Sequence, residues 1–124
     1  MAAAPSERVA VLADDLIWAT RLADALAAAG ATVTRTRHLH DLETLIAGGD
    51  VRRVVIDLTA RAYDGVAAIE AAVHAGARVA AVGQHDDAEL RRRALGAGAE
   101  RVFAYRQLFE VGPSKLRAWL DAAA

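Results

Sequence analysis

The 124-residue sequence contains no cysteine, a single lysine and only two serines, Ser6 and Ser114. The absence of cysteine excludes disulfides, thiol nucleophiles, zinc–thiolate centres and iron–sulfur clusters. Long apolar runs are also missing, because charged residues interrupt each one before it reaches the length of a membrane span. Residues 1–8 lack the basic region and apolar run of a signal peptide. We therefore expect a cytoplasmic protein with no membrane partner.

The charges are nearly balanced, with 15 basic and 16 acidic residues and a formal net charge of -1. Such balance argues against nucleic acid as a partner, since electrostatic capture of nucleic acid needs a basic surface. Hydrophobic residues make up 55% of the chain, which excludes intrinsic disorder. We expect a single domain over residues 8–123, preceded by a disordered or frayed N-terminus at residues 1–7.

Five short runs rich in β-branched residues alternate with stretches of helical periodicity. The first, third and fourth runs are almost entirely apolar, as in strands buried on both faces, and the second alternates like an edge strand. Asp86 followed by Glu89 resembles a capping box and predicts the start of the fourth helix. The five runs occupy residues 8–13, 31–36, 53–57, 78–82 and 101–105.

This alternation predicts an α/β fold with right-handed crossovers. We expect a flavodoxin-like, doubly wound, five-stranded parallel sheet of order 2-1-3-4-5 with five helices. A Rossmann-like half domain is the alternative.

Acidic side chains end two of the predicted strands. Asp14 and Asp15 follow the first strand, and Asp57 ends the third. In the order 2-1-3-4-5 these ends meet where the strand order reverses, which is where open α/β sheets bind ligands. Crowded carboxylates repel, so at least one should have a raised pKa, and a hard divalent cation such as Mg²⁺ would relieve the repulsion. The alternative is that Asp14 or Asp15 caps the first helix.

Four sequence features together resemble the receiver domain of bacterial two-component response regulators, over essentially the whole chain. They are an apolar strand ending in Asp14-Asp15, a second apolar strand ending in Asp57-Leu58, the pair Asp64-Gly65, and the small-residue turn Ala97-Gly98-Ala99. The resemblance implies that Asp57 accepts a phosphoryl group from a histidine kinase or a small donor. It also implies that Asp14, Asp15, Asp57 and the backbone carbonyl of Thr59 hold Mg²⁺.

The chain departs from the receiver pattern at the residues that act on the phosphoryl group. The family's Ser or Thr on strand four aligns with Gly83, its aromatic switch residue with Val102, its Lys with Tyr105, and the proline after that lysine with Arg106. Lys115 lies in the last predicted helix, so no shift of alignment restores the lysine. Losing a charged phosphoryl partner costs about two to three decades in rate. Without the hydroxyl on strand four, phosphorylation should not drive a switch.

Three functions remain open on this basis. The first is an atypical pseudo-receiver, a signalling module that is not an enzyme and contacts a kinase or effector protein. The second is a true Mg²⁺-dependent, phospho-accepting regulator in which Arg61 or Arg106 replaces the lysine; either arginine could instead plug the acidic site without metal. The third is a small Mg²⁺-dependent phosphohydrolase using Asp57, although no second general acid is placed near it. The resemblance also implies protein contacts, including a homodimer, through the face of helix 4, strand 5 and helix 5.

Overall fold

The computed structural model describes residues 7–84, 86–110, 112 and 114–122, in which five strands form one parallel sheet of order β2-β1-β3-β4-β5. The predicted flavodoxin-like fold and its strand order are thereby confirmed. Residues 1–6 of the predicted frayed N-terminus lie outside the described residues. The strands are β1 (Arg8–Leu12), β2 (Thr32–Thr36), β3 (Arg53–Asp57), β4 (Arg78–Gly83) and β5 (Arg101–Ala104).

The described residues form six helices, where the sequence predicted five. The additional helix arises because β5 ends at Ala104, so that Tyr105 begins a helix instead of ending a strand. The side chain of Gln107 accepts a hydrogen bond from the Ala104 N–H at 2.9 Å, which stabilises this turn. None of the described helices is long and apolar enough to cross a membrane. The helices are α1 (Leu16–Ala28), α2 (Leu39–Ala47), α3 (Gly65–His74), α4 (Ala88–Gly96), α5 (Tyr105–Phe109) and α6 (Ser114–Asp121).

Apolar side chains cover both faces of the sheet, because successive strand residues point to opposite sides. Val54 and Ile56 pack on the side of α2, α3 and α4. Val55 and Phe103 pack on the side of α1, α5 and α6. Asp57 continues the alternation of Val55, and Tyr105 lies in the same cluster as Phe103. The fold therefore directs both side chains to one face, at the carboxyl edge of the sheet.

Two arginines at the amino ends of β3 and β4 bind the carboxyl end of α6. Arg53 is buried and donates hydrogen bonds to the carbonyls of Trp119 (2.8 Å) and Ala122 (2.9 Å) and to the carboxylate of Glu7 (2.9 Å). Arg78, the register partner of Arg53, donates to the same Ala122 carbonyl at 2.8 Å. The last carbonyls of a helix carry partial negative charge, so the two cations satisfy them at the edge of the sheet opposite Asp57.

The cap of α4 differs from the sequence-based expectation. Asp87, not Asp86, is the N-cap residue, and its carboxylate accepts the Leu90 N–H at 3.0 Å. Asp87→Ala is expected to lower the free energy of unfolding by about 1 kcal/mol, because that N–H loses its partner. Asp86→Ala is the matched control, with an expected change below about 0.5 kcal/mol. Urea denaturation measures both, and an equal or larger loss at Asp86 would contradict the assignment.

Candidate functional site

Asp57 ends β3 at the carboxyl edge of the sheet, and its side chain is fully buried. The neighbouring strand β1 pairs with β3 through Leu12 and Ile56, so Asp14 and Asp15 follow at the adjacent strand end. The predicted juxtaposition of the two strand ends is therefore present. What the three carboxylates bind there decides the chemistry of the site.

The hydrogen bonds that the described residues make to the Asp57 carboxylate all reach a single oxygen. Its Oδ1 accepts from the Thr59 N–H at 2.9 Å, from the Thr59 hydroxyl at 2.8 Å, and from the Tyr105 hydroxyl. The hydroxyls of Thr59 and Tyr105 also lie 2.9 Å apart. Among the described residues Oδ2 is buried and has no hydrogen-bond partner. Oδ1 is thus satisfied from within the protein, whereas Oδ2 carries the desolvation cost of an unpaired polar atom.

Asp14 and Asp15 bind backbone amides. Asp15 caps α1 by accepting the Trp18 N–H at 3.0 Å, which is the alternative role that the sequence left open. Asp14 accepts the N–H groups of Arg61 and Ala62, both at 2.8 Å. Burial acts to raise the pKa of Asp14, but these two donors outweigh it and hold the pKa below its usual value. Asp14 is therefore not the carboxylate with a raised pKa that crowding was expected to produce.

The residues as they stand do not fit a Mg²⁺ ion. No group of three His, Cys, Asp or Glu side chains in the described part of the chain is placed to hold a metal. A cavity of about 420 Å³ opens beside the site, and Asp57 does not line it. Its lining residues are Asp14, Asp15, Trp18, Thr59 and Arg61. Each of the three carboxylates has one oxygen engaged by donors of the protein, and Asp57 does not reach the cavity that Asp14 and Asp15 line, so the three do not converge on one cation position.

Neither candidate arginine is bonded to Asp57. Arg106 lies on exposed α5 surface and pairs with Glu110 at 3.3 Å. Arg61 is exposed, and its backbone N–H contacts Asp14. The group that reaches Asp57 from the position of the family's lysine is the phenol of Tyr105. A phenol donates one hydrogen bond and, unlike lysine, carries no positive charge.

Two of the four predicted switch positions, Gly83 and Val102, contribute no polar side chain to the site. Gly83 ends β4 and is buried, and a Cβ added there would lie 3.4 Å from Cδ1 of Leu58. Val102 is buried on the opposite face of the sheet, among the residues packed against α2, α3 and α4. The position of the usual hydroxyl therefore has room for a Cβ but no donor.

Three interactions of the site escaped the sequence analysis: the side-chain bond of Thr59, the bond of Tyr105, and the role of Tyr63. The Tyr63 hydroxyl lies 2.8 Å from the Leu12 carbonyl and 2.7 Å from the Asp57 carbonyl, and so joins the ends of β1 and β3. Side chains alternate between the two faces of a strand, so Tyr105, two residues after Phe103, is expected on the same face as Asp57. This alternation is a sequence signal for the bond between Tyr105 and Asp57. No pattern in the sequence points to Tyr63, because its contact depends on the path of the loop before α3.

Both tyrosines of the chain should resist ionisation in the folded protein. Burial raises the pKa of Tyr63, as does the charge of Asp57, and burial together with the Asp57 hydrogen bond raises the pKa of Tyr105. Groups whose folded pKa is raised stabilise the fold fully below their unfolded pKa, about 10 for tyrosine, and lose this contribution as the pH rises above it. Phenolate absorbance should therefore stay flat beyond pH about 10.5 until the protein unfolds. A urea-unfolded sample is the control, and one native tyrosine ionising near its ordinary pKa would contradict the prediction.

Comparison with solved structures shows that the chain has the fold of response regulator receiver domains. A response regulator from Thermotoga maritima superposes with a TM-score of 0.79 at 16% identity, over 95% of this chain and 100% of that one. The BeF3-activated N-terminal receiver domain of RstA from Klebsiella pneumoniae gives 0.80 at 18% identity, over 94% and 100%. A Burkholderia pseudomallei response regulator with a phosphorylated aspartic acid, calcium ion and citrate gives 0.72 at 18%, over 94% and 74%. No protein-family model and no curated protein matches the chain.

Proposed function

We propose that this chain is a receiver-like signalling domain of the two-component type, an atypical pseudo-receiver that acts through protein–protein contacts and is not an enzyme. The observation that carries the proposal is the closure of Asp57 by the hydroxyls of Tyr105 and Thr59. In the receiver fold Asp57 stands where the phosphoacceptor is expected. Here its Oδ1 is held by donors of the same chain.

The surrounding groups support the absence of phosphoryl transfer. A transferred phosphoryl group is stabilised mainly by positive charge placed around its oxygens. Tyr105 supplies no charge, and the guanidinium of Arg106 is paired with Glu110 on the surface. Asp14 and Asp15, which would have to hold a cation, are bound to backbone amides. The chemical step would therefore lack the lysine, and a cation would have to bind beside carboxylate oxygens that already accept backbone N–H groups.

The missing hydroxyl at Gly83 bears on signalling as well as on chemistry. A modification shifts a conformational equilibrium only if it contacts one state better than the other. Gly83 has no side chain that could bind a phosphoryl group and move with it, and Val102 has no aromatic ring. We therefore expect the protein to present the same surface whether or not a phosphoryl donor is present.

The proposed partner is a protein, either a kinase or effector or a second copy of this chain, at the face of helix 4, strand 5 and the last helix, which is α6 in this structure because the short α5 precedes it. Arg91 and Arg106 line a cavity of about 540 Å³ on this face, together with Gln84, Gln107 and Glu110. Arg91 donates to the Val102 carbonyl at 2.6 Å and so covers part of the outer edge of β5. Sedimentation of the purified protein distinguishes a homodimer from a monomer that waits for another partner.

Phosphoryl labelling tests the proposal. Intact-protein mass spectrometry after incubation with Mg²⁺ and phosphoramidate should show no phosphoryl increment on the wild type or on Asp57→Asn, while a phospho-accepting receiver treated in parallel is labelled. A stoichiometric increment that disappears in Asp57→Asn would overturn the pseudo-receiver assignment and favour a true phospho-accepting regulator. Repeated turnover of a phosphate ester, lost in Asp57→Asn, would instead favour the phosphohydrolase.

A further inference from the structure

Tyr105 is held against Asp57 by aromatic rings from two helices. Its ring stacks on Trp18 of α1 with centroids 4.1 Å apart, and Phe109 lies 5.6 Å from Trp18 and 6.0 Å from Tyr105. Tyr105 and Phe109 are four residues apart on α5 and therefore share one helix face. The three rings form what we call the aromatic stack: Trp18, Tyr105 and Phe109.

We propose that Tyr105 is an internal ligand that takes the place of a cation at Asp57, and that Trp18 and Phe109 are the positioning residues that hold it there. The inference rests on the proposed function, because it accounts for the closed state of the site. It goes further in assigning that closure to a contact between α1 and α5, which single substitutions can release.

The position of Trp18 links the stack to the acidic cavity. Trp18 lies in the first turn of α1, where Asp15 binds its backbone N–H at 3.0 Å. Its side chain lines the cavity together with Asp14, Asp15 and Thr59. Trp18 therefore forms a wall of the cavity and also packs against the Tyr105 ring, whose hydroxyl bonds Asp57. The carboxylate of Asp15 fixes the helix turn that carries this wall.

Arg21 covers the outer side of the stack. Its guanidinium lies 5.3 Å from the Trp18 ring and 5.9 Å from the Phe109 ring, which are cation–π distances. Tyr105 is only 6% exposed, so its ring has packed neighbours on the solvent side. A ring enclosed in this way has few alternative rotamers, and its hydroxyl stays on Oδ1 of Asp57.

The Tyr105 hydroxyl and a cation would both compensate the negative charge of the Asp57 carboxylate. Oδ1 accepts three donors, and Oδ2 is buried without a partner among the described residues. Removing the Tyr105 donor leaves a buried carboxylate with one of its charge-compensating bonds gone. A divalent cation at the carboxylate would then replace the compensation that the hydroxyl had supplied at Oδ1, and so it should bind more tightly.

The inference is tested by measuring Mn²⁺ binding to the full chain with isothermal titration calorimetry. Tyr105→Phe, which removes the hydroxyl and keeps the ring, should bind Mn²⁺ about tenfold or more tightly than the wild type. Trp18→Leu should show the same gain, and Trp18→Phe, which preserves an aromatic ring, should not. Tyr63→Phe is the matched control, since it removes a phenol that contacts backbone carbonyls only.

If Trp18 had a purely structural role, Trp18→Leu would lower stability without increasing Mn²⁺ affinity. A gain in Mn²⁺ affinity therefore distinguishes a positioning role from a structural one. Circular dichroism of each variant confirms that it is folded. No gain in Tyr105→Phe would overturn the internal-ligand inference, and a gain in Trp18→Phe equal to that in Trp18→Leu would overturn the positioning role. Either failure leaves the proposed function standing if the wild type remains unlabelled by phosphoramidate, whereas labelling of the wild type defeats the proposed function itself.

Discussion

Tyr105→Phe is expected to lower the free energy of unfolding by about 2 kcal/mol when residue 57 is aspartate, and by about 1 kcal/mol when it is asparagine. The donor and the acceptor are both buried, and the bond runs from a neutral hydroxyl to a carboxylate. Hydrogen bonds to charged acceptors contribute about twice as much as neutral ones. The difference between the two losses measures how strongly Tyr105 compensates the charge of Asp57.

Asp57→Asn by itself should stabilise the protein by about 1 kcal/mol or more. Asparagine keeps an acceptor oxygen for the three donors at Oδ1 and removes a buried charge; the amide nitrogen that replaces the unpartnered Oδ2 is neutral and therefore costs less to bury. Urea denaturation of the two single variants and the double variant gives all three values. Tyr63→Phe is the control, and its loss should not depend on residue 57. If Asp57→Asn destabilised the protein, or if the Tyr105→Phe loss were unchanged by it, the account of the site would be wrong.

Arg53→Met should destabilise the protein by about 2–3 kcal/mol, a substantial part of the 5–15 kcal/mol typical of a domain. The Arg53 side chain is 9% exposed and donates to two carbonyls at the end of α6 and to Glu7. Its guanidinium also lies 5.4 Å from the centroid of the Trp119 ring. Methionine fills similar space but removes the cation from both carbonyls, leaving Arg78 alone on the Ala122 carbonyl and the Ala122 N–H alone on the Trp119 carbonyl.

Arg52→Met provides the matched control for this experiment. Arg52 is the neighbouring residue and is exposed, so its loss should change stability by less than about 0.5 kcal/mol. Arg53→Lys should fall between the two, since lysine keeps the charge but not the planar fork of donors. Equal urea midpoints for Arg53→Met and Arg52→Met would show that the bonds of Arg53 to the end of α6 contribute little.

The fold was predictable because it depends on patterns that the sequence displays directly. Apolar runs bounded by glycines and separated by helical periods define βα units, and Gly30 and Gly76 adopt the left-handed conformation expected after a helix, with φ of 101° and 96°. The end of β5 was not predictable in this way. Residues 102–105 form a continuous apolar run such as a buried strand shows, and the Gln107 side chain, by accepting the Ala104 N–H, marks the change to a helix.

The site was predictable in its position but not in its bonds. The strand ends that carry Asp14, Asp15 and Asp57 follow from topology. Which donors reach each carboxylate depends on loop paths and ring packing that leave no periodic signal. Trp18 illustrates this, since the sequence indicated only general packing for it, and its contact with Tyr105 arises from the crossing of α1 over α5. The bonds of Arg53 and Arg78 to the end of α6 were missed for the same reason, because they depend on where α6 ends.

A crystal structure of the protein grown with Mg²⁺ and BeF3⁻, the reagent that activates the RstA receiver domain, tests the central claim most directly. We predict that the Tyr105 hydroxyl still contacts Oδ1 of Asp57, that Trp18 still stacks on its ring, and that neither Mg²⁺ nor BeF3⁻ is bound at the carboxylate. Density for a BeF3⁻ group on Asp57 with Mg²⁺ beside Asp14 and Asp15, and the Tyr105 ring displaced, would contradict the account.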